Sequence, residues 1–225
     1  MDQGPDFRHV KHWIFDLDNT LYSAESGVFA RIDARMTEFI ASYLDMDREK
    51  ARATQKSLYR EHGTTLNGLM KVYGLDPEPY LDFVHRIDLS DLGADSALAH
   101  AIARLPGGRH VFTNGCANHA TRILDRLGLS HLFDDIWDIR TTGFVPKPDP
   151  AAYRRIAAEF APGEAAMFDD IARNLVEPHA LGMTTVWLNT GAAWGKQGPE
   201  IPVASSTHID HEIGDLAHFL GTLVI

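Results

Sequence analysis

The chain is poor in several things at once. Its 225 residues include one cysteine, Cys116, so no internal disulfide and no Cys-rich zinc site can be built. That usage fits a reducing compartment, and a soluble cytoplasmic protein is the expectation. No apolar run approaches the roughly 20 residues that cross a bilayer. The opening Met1-Asp2-Gln3-Gly4-Pro5 is polar and lacks the apolar middle of a signal peptide. Positive charge is scarce: 21 Lys+Arg stand against 31 Asp+Glu, a formal net charge of −10. Such a surface repels polyanions, which argues against a nucleic-acid polymer or an anionic membrane as partner. Internal repeats and low-complexity tracts are missing as well. What remains is ordinary globular composition, 44% hydrophobic and 23% charged, enough for one domain or one domain with an inserted module.

Five short apolar stretches read as strands: Val10–Phe15, Arg109–Thr113, Asp135–Arg140, Ala165–Phe168 and Thr184–Leu188, with a weaker sixth at His208–Asp210. Several are near-continuous hydrophobics, the pattern of strands covered on both faces. Helical patterns lie between them. Ala117–Leu127 stops at Gly128, Pro150–Phe160 opens on Asp149 as N-cap, and Leu175–Leu181 ends at Gly182. Strands alternating with helices predict a doubly wound parallel α/β sheet of the Rossmann-like kind. Residues 23–95 break the rhythm with amphipathic helices at Phe29–Leu44, Arg48–His62, Leu66–Val72 and Pro77–Ile87. The division expected is therefore an α/β core of residues 1–22 and 96–225 with an all-helical cap, residues 23–95, inserted after the first strand. Asn189–Ser206, rich in Gly and Pro, reads as a long loop. Trp187 and Trp194 read as packing, Asp45 as a loop residue and Asp47 as an N-cap or loop residue.

In an open α/β sheet, ligands bind beyond the carboxyl ends of the strands. Those ends carry Asp16-Leu17-Asp18, Thr113-Asn114-Gly115, Lys147-Pro148-Asp149-Pro150 and Asp169-Asp170. Four gathered carboxylates repel one another unless a proton or a cation is present. Hard oxygen donors of this kind suit Mg²⁺. Lys147, the Thr113 hydroxyl, and the N–H groups of Asn114 and Gly115 at a helix opening would attract an anion. Together they predict a pocket for a tetrahedral dianion. Acidic neighbours are expected to raise the pKa of Asp18.

These four segments, in this order, resemble the motifs of the haloacid dehalogenase-like superfamily. The resemblance implies Asp16 as a nucleophile giving an aspartyl-phosphate and Asp18 as the acid and base that serves the leaving group and then water. It implies Thr113, Asn114 and Lys147 around the phosphoryl oxygens. It implies Mg²⁺ held by Asp16, the Asp18 backbone carbonyl and Asp170, with Asp169 behind them. Leu175 stands where many relatives carry a further acid, and Asn174 is expected to supply hydrogen bonds there instead. Asp18 separates two chemistries, because halide leaves without a proton and the dehalogenases of the superfamily lack an acid at this place. Phe15–Tyr22, His62–Leu69 and Phe168–Asn174 resemble the pyrimidine 5'-nucleotidase branch, which implies UMP or CMP as substrate. The alternatives are another small phosphorylated metabolite, such as phosphoglycolate or a sugar phosphate, an idle binding protein, and a haloacid dehalogenase. Thr64, Thr65, His62 and Arg31, with Tyr59 and His85, are the cap residues expected to meet the rest of the substrate.

Overall fold

The computed structural model describes residues 4–191 and 207–225. The chain enters through β1 (His12–Phe15) and then makes four helices in succession, α1 (Val28–Tyr43), α2 (Arg48–His62), α3 (Thr65–Tyr73) and α4 (Pro77–Val84). It continues with α5 (Ser96–Ala103), β2 (Gly108–Phe112), α6 (Ala117–Leu127), β3 (Asp135–Trp137), α7 (Pro150–Ile156), β4 (Ala165–Asp169), α8 (Val176–Ala180), β5 (Thr184–Leu188), β6 (His211–Ile213) and α9 (Leu216–Thr222). The strands form a six-stranded parallel sheet in the order β3-β2-β1-β4-β5-β6. This is the doubly wound α/β architecture that the strand–helix alternation predicts.

Alternation along β1 explains the layers. Trp13 and Phe15 join one apolar cluster while Ile14 joins another with Phe112, Tyr153 and Met167, so the sheet is buried on both faces. A separate cluster forms among the inserted helices from Ile40, Leu58, Leu69, Tyr80 and Val84, closed by Cys116 and Ile139 from the sheet side. Side-chain caps set the helix starts: Asp47, Thr64, Asp76, Asp95 and Asp149 each accept a backbone N–H of the first turn. After α4 the returning segment is strapped to α6. Arg122 donates to the carbonyls of His85 and Ile87, each at 2.8 Å, and Arg126 to those of Leu89 and Ser90 at 3.1 and 3.0 Å.

Three element boundaries differ from expectation for local reasons. The last strand is His211–Ile213, not His208–Asp210. Thr185 donates its N–H and hydroxyl to the Asp210 carboxylate, and the hydroxyl also reaches the His208 carbonyl, so 208–210 is a turn laid against β5. β3 stops at Trp137 because Asp138 folds the next residues into a turn, accepting from the N–H groups of Arg140 and Thr141 at 3.0 Å. Residues 172–175 form a 3₁₀ turn ahead of α8, where one helix from Leu175 was expected. Of the expected loop Asn189–Ser206, residues 192–206 lie outside the described residues, as does Trp194.

Candidate active site

Parallel strands in register end together, and that brings the acids into one place. Phe15 pairs with Phe168, so Asp16, whose N–H donates to the Phe168 carbonyl at 2.8 Å, sits beside Asp169 at the tip of β4. On the other side of β1, Phe15 pairs with Val111, which brings Thr113 alongside. The sheet order reverses between β1 and β4, the place where doubly wound sheets bind ligands. Asp16, Asp169 and Asp170 each offer a carboxylate oxygen, all within 4.8 Å of one another.

Lys147 binds this group from below. Its buried ammonium donates to Asp16 Oδ1 and Asp169 Oδ2, each at 2.7 Å, and to the Phe112 carbonyl at 2.9 Å. All three of its hydrogens therefore have a protein acceptor. Burial alone would lower the Lys147 pKa, but the charges and hydrogen bonds of Asp16 and Asp169 raise it above the ordinary value. Asp169 is wholly committed: Oδ1 accepts from the Ile171 N–H and the Asn174 amide, and Oδ2 accepts from Lys147 and that same amide. Thr20 donates to Asp16 Oδ2 at 3.3 Å and accepts from the Asp170 N–H at 3.1 Å. Trp187 donates its indole N–H to the Asp170 carbonyl at 3.0 Å, a polar contact beyond the packing expected of it.

Asp16 and Asp169 share the single ammonium of Lys147, and Asp18 and Asp170 line the same cavity as Asp16. Asp16 carries the consequence: burial, only partly relieved by Lys147 and aggravated by Asp169 and Asp18, pushes its pKa up to about 7. Hard oxygen donors gathered within 4.8 Å of one another, and a buried Asn19 Oδ1 with no partner among the described residues, fit a divalent cation.

Asp18 departs from expectation. Burial would raise its pKa, but the His119 ring, by charge and hydrogen bond, and the Tyr22 hydroxyl hold it below the usual carboxylate value. Tyr22 donates to Asp18 Oδ1 at 2.6 Å, and His119 Nε2 lies 3.0 Å from that same oxygen. Neither His119 nor Tyr22 was singled out in the sequence. The signal for His119 was its place on the buried face of α6, in line with Ile123 and Leu127 at steps of four.

The phosphate-binding candidates are placed as follows. Thr113 is buried and its hydroxyl accepts the Gly115 N–H at 2.9 Å. The Asn114 side chain is occupied with the Lys147 backbone, accepting its N–H at 2.8 Å and donating to its carbonyl at 3.1 Å. It locks two loops together. The helix does not open at Asn114 and Gly115: α6 begins at Ala117, whose N–H is taken by Asp138 at 2.9 Å.

A cavity of about 180 Å³ runs from Asp16, Asp18 and Lys147 into the inserted helices. Thr64, Thr65, Tyr59 and His85 line it. Thr64 also caps α3 by accepting the Asn67 N–H. Two candidates do not reach the cavity. Arg31 is drawn outward by Asp91 at 2.7 Å and borders a groove on the other side of α1. His62 contributes only its carbonyl to Asn67, with its ring turned toward Glu61. Burial holds the His85 pKa down to about 3, so that ring is neutral. Arg173, after β4, donates to the Tyr59 hydroxyl and joins the core to α2. The Tyr80 hydroxyl at the cavity wall is buried without a partner among the described residues.

A doubly wound sheet with an acidic centre at its switch point and helices inserted after β1 defines the class of protein. The particular family follows from comparison: the model of the haloacid dehalogenase-like hydrolases matches residues 10–176, and the chain belongs to that family. It is 28% identical over 191 residues to Phosphate metabolism protein 8 of Saccharomyces cerevisiae, covering 77% of this chain and 60% of that protein. The chain thus spans about three fifths of the length of that curated relative. Among solved structures it resembles the HAD-hydrolase YfnB from Bacillus subtilis bound to magnesium (TM-score 0.55, 18% identity, 91% of this chain and 94% of that one). It equally resembles the L-2-haloacid dehalogenase from Xanthobacter autotrophicus (TM-score 0.56, 15% identity, 94% and 97%). Both share the fold, so the choice of chemistry falls to the site. No helix among the described residues is long and apolar enough to cross a membrane.

Proposed function

We propose that this chain is a magnesium-dependent phosphomonoester hydrolase acting on a pyrimidine nucleoside 5'-monophosphate. The observation that carries the phosphate reading is Asp18. An acid held two residues from the nucleophile, at the same cavity, serves a leaving alkoxide and has no task in expelling halide.

In this reading residues 23–95 act as the cap over the core. Asp16, Asp170 and the Asp18 carbonyl would hold Mg²⁺, with Asp169 behind them as the acceptor for Lys147 and Asn174. When bound, the ion supplies charge neutralisation for two anions that would otherwise repel. Lys147 supplies a fixed positive charge that keeps Asp16 oriented. The Asp16 carboxylate attacks phosphorus as the P–O bond to the leaving group breaks, giving an aspartyl-phosphate and an alcohol. A phosphate dianion arriving beside Asp18 adds negative charge and favours its protonated form, which delivers the proton to the leaving oxygen. Asp18 then takes a proton from the water that attacks the intermediate, releasing inorganic phosphate and restoring Asp16. Thr113 and the backbone around Asn114 lie beside the phosphoryl group, while Tyr59, Thr64 and Thr65 meet the nucleoside.

The pyrimidine assignment rests on the resemblance of Phe15–Tyr22, His62–Leu69 and Phe168–Asn174 to that branch. Phosphate metabolism protein 8 carries phosphate chemistry in its name. The lone, buried Cys116 supports a cytoplasmic setting. The test is phosphate release from a panel of esters with Mg²⁺ or with chelator. UMP and CMP should give the highest kcat/KM, and Asp16→Asn should release nothing while keeping its circular dichroism. Turnover retained by Asp16→Asn, or a phosphoglycolate preference, would overturn the nucleophile or the substrate respectively.

A further inference from the structure

The two oxygens of Asp18 are not equivalent. Oδ1 accepts from the Tyr22 hydroxyl at 2.6 Å and faces His119 Nε2 at 3.0 Å. Among the described residues no protein group hydrogen-bonds Oδ2. A carboxylate gripped twice on one oxygen cannot turn about its terminal torsion, which is otherwise soft. The other oxygen is then the one left to exchange a proton with whatever occupies the cavity that Asp18 lines.

His119 is built to be immobile. Its ring is fully buried, lies 4.4 Å from the His85 ring and within 13° of parallel to it. Gly115 closes the edge of this ring pair: an added methyl there would stand 3.5 Å from His119 Cδ2, 3.6 Å from His85 Nε2 and 3.2 Å from Thr113 Oγ1. Its Nδ1 has no hydrogen-bond partner. A ring with one partner and no solvent presents its Nε2–H to Asp18, since any other use of that hydrogen is closed off. Tyr22 reaches Oδ1 from four residues along the chain, on the segment that leads into α1, and is itself buried. One donor comes from α6 and one from the segment that leads out of β1.

From this geometry we infer that His119 and Tyr22 are positioning residues that clamp Asp18 by Oδ1 so that Oδ2 alone serves the leaving group. This rests on the reading of Asp18 as proton donor. Neither residue touches the substrate. Their effect should therefore follow how much the leaving group needs a proton.

The experiment compares kcat/KM, which reports steps through loss of the leaving group, for an alkyl ester (UMP) and for 2,4-dinitrophenyl phosphate, whose leaving group departs without a proton. Tyr22→Phe keeps the ring and loses one donor, so it should fold; His119→Ala loses the other. Each should lower kcat/KM for UMP by tenfold or more and for the dinitrophenyl ester by less than about threefold. His119→Gln, whose amide nitrogen can reach the place of Nε2, should recover much of the UMP rate. Equal losses on both esters, or no loss on either, would overturn the clamp. Asp18→Asn separates this from the parent reading: a selective UMP loss there, absent in both clamp variants, sinks the clamp and keeps the acid. A crystal structure of Tyr22→Phe with Asp18 unmoved and Oδ1 still held at its present place would also overturn the inference, whatever the activity.

Discussion

Metal and proton should compete at Asp16, and the competition has a calculable size. Burial, with Asp169 and Asp18 adding to it, raises the Asp16 pKa to about 7 in the ion-free site. A group with that pKa is roughly one part in eleven ionised at pH 6 and about nine parts in ten ionised at pH 8. Since the carboxylate must be deprotonated to bind an ion, apparent Mg²⁺ affinity should weaken about tenfold from pH 8 to pH 6, about 1.4 kcal/mol. Isothermal titration calorimetry measures this directly. Repeating the pH 6 titration in two buffers of different ionisation enthalpy should reveal about one proton released per ion. Asp16→Asn should abolish the release. Without a cation the same shift has a stability consequence of definite sign: between about pH 4 and pH 7 the folded form holds a proton that the unfolded chain has lost, so stability falls as pH rises. A dissociation constant that stays within twofold from pH 6 to pH 8 would mean Asp16 is ionised throughout, and the argument from burial would be wrong.

Two other perturbations read the site through stability alone. Lys147→Met strips two buried carboxylates of their shared ammonium, and a loss of about 3 kcal/mol is expected in urea denaturation at neutral pH; a loss under about 1 kcal/mol would contradict the pairing. Tyr80→Phe removes a buried hydroxyl that has no partner, so the ligand-free protein should become more stable by about 1 kcal/mol in thermal or chemical unfolding. Destabilisation would show that the hydroxyl is satisfied after all.

What the sequence made legible was whatever one strand or one loop decides. Near-continuous apolar runs marked β1, β2, β4 and β5, and the acids placed just past them could be assigned to one edge because parallel strands end on one side of a sheet. Caps were readable wherever Asp or Thr preceded a helical pattern, as at Asp47 and Asp149. The failures are of another kind. Asp18 was read from its acidic neighbours along the chain and at the sheet edge, but burial's upward push on its pKa is overcome by His119, 101 positions away in sequence, together with Tyr22. Arg31 is a helix residue whose direction depends on Asp91, 60 positions on. The shift of β6 follows from Thr185 and Asp210 on different elements. Side-chain pairings across such separations leave no trace in periodicity.

The four hydrogen bonds from Arg122 and Arg126 to the backbone of residues 85–90 have a consequence for motion. One of the two segments connecting the inserted helices to the sheet is riveted to α6 at the carbonyls of His85, Ile87, Leu89 and Ser90. The other, through Asn19 with its left-handed φ of 63° and Gly27 at 70°, is met from α6 by His119 on the Asp18 side chain but, among the described residues, has no such bonds to its backbone. Any swing of the helices is thereby made lopsided, like a door hung on one jamb, with the arc traced about the riveted side and Asp18 kept on the fixed frame by His119 of α6.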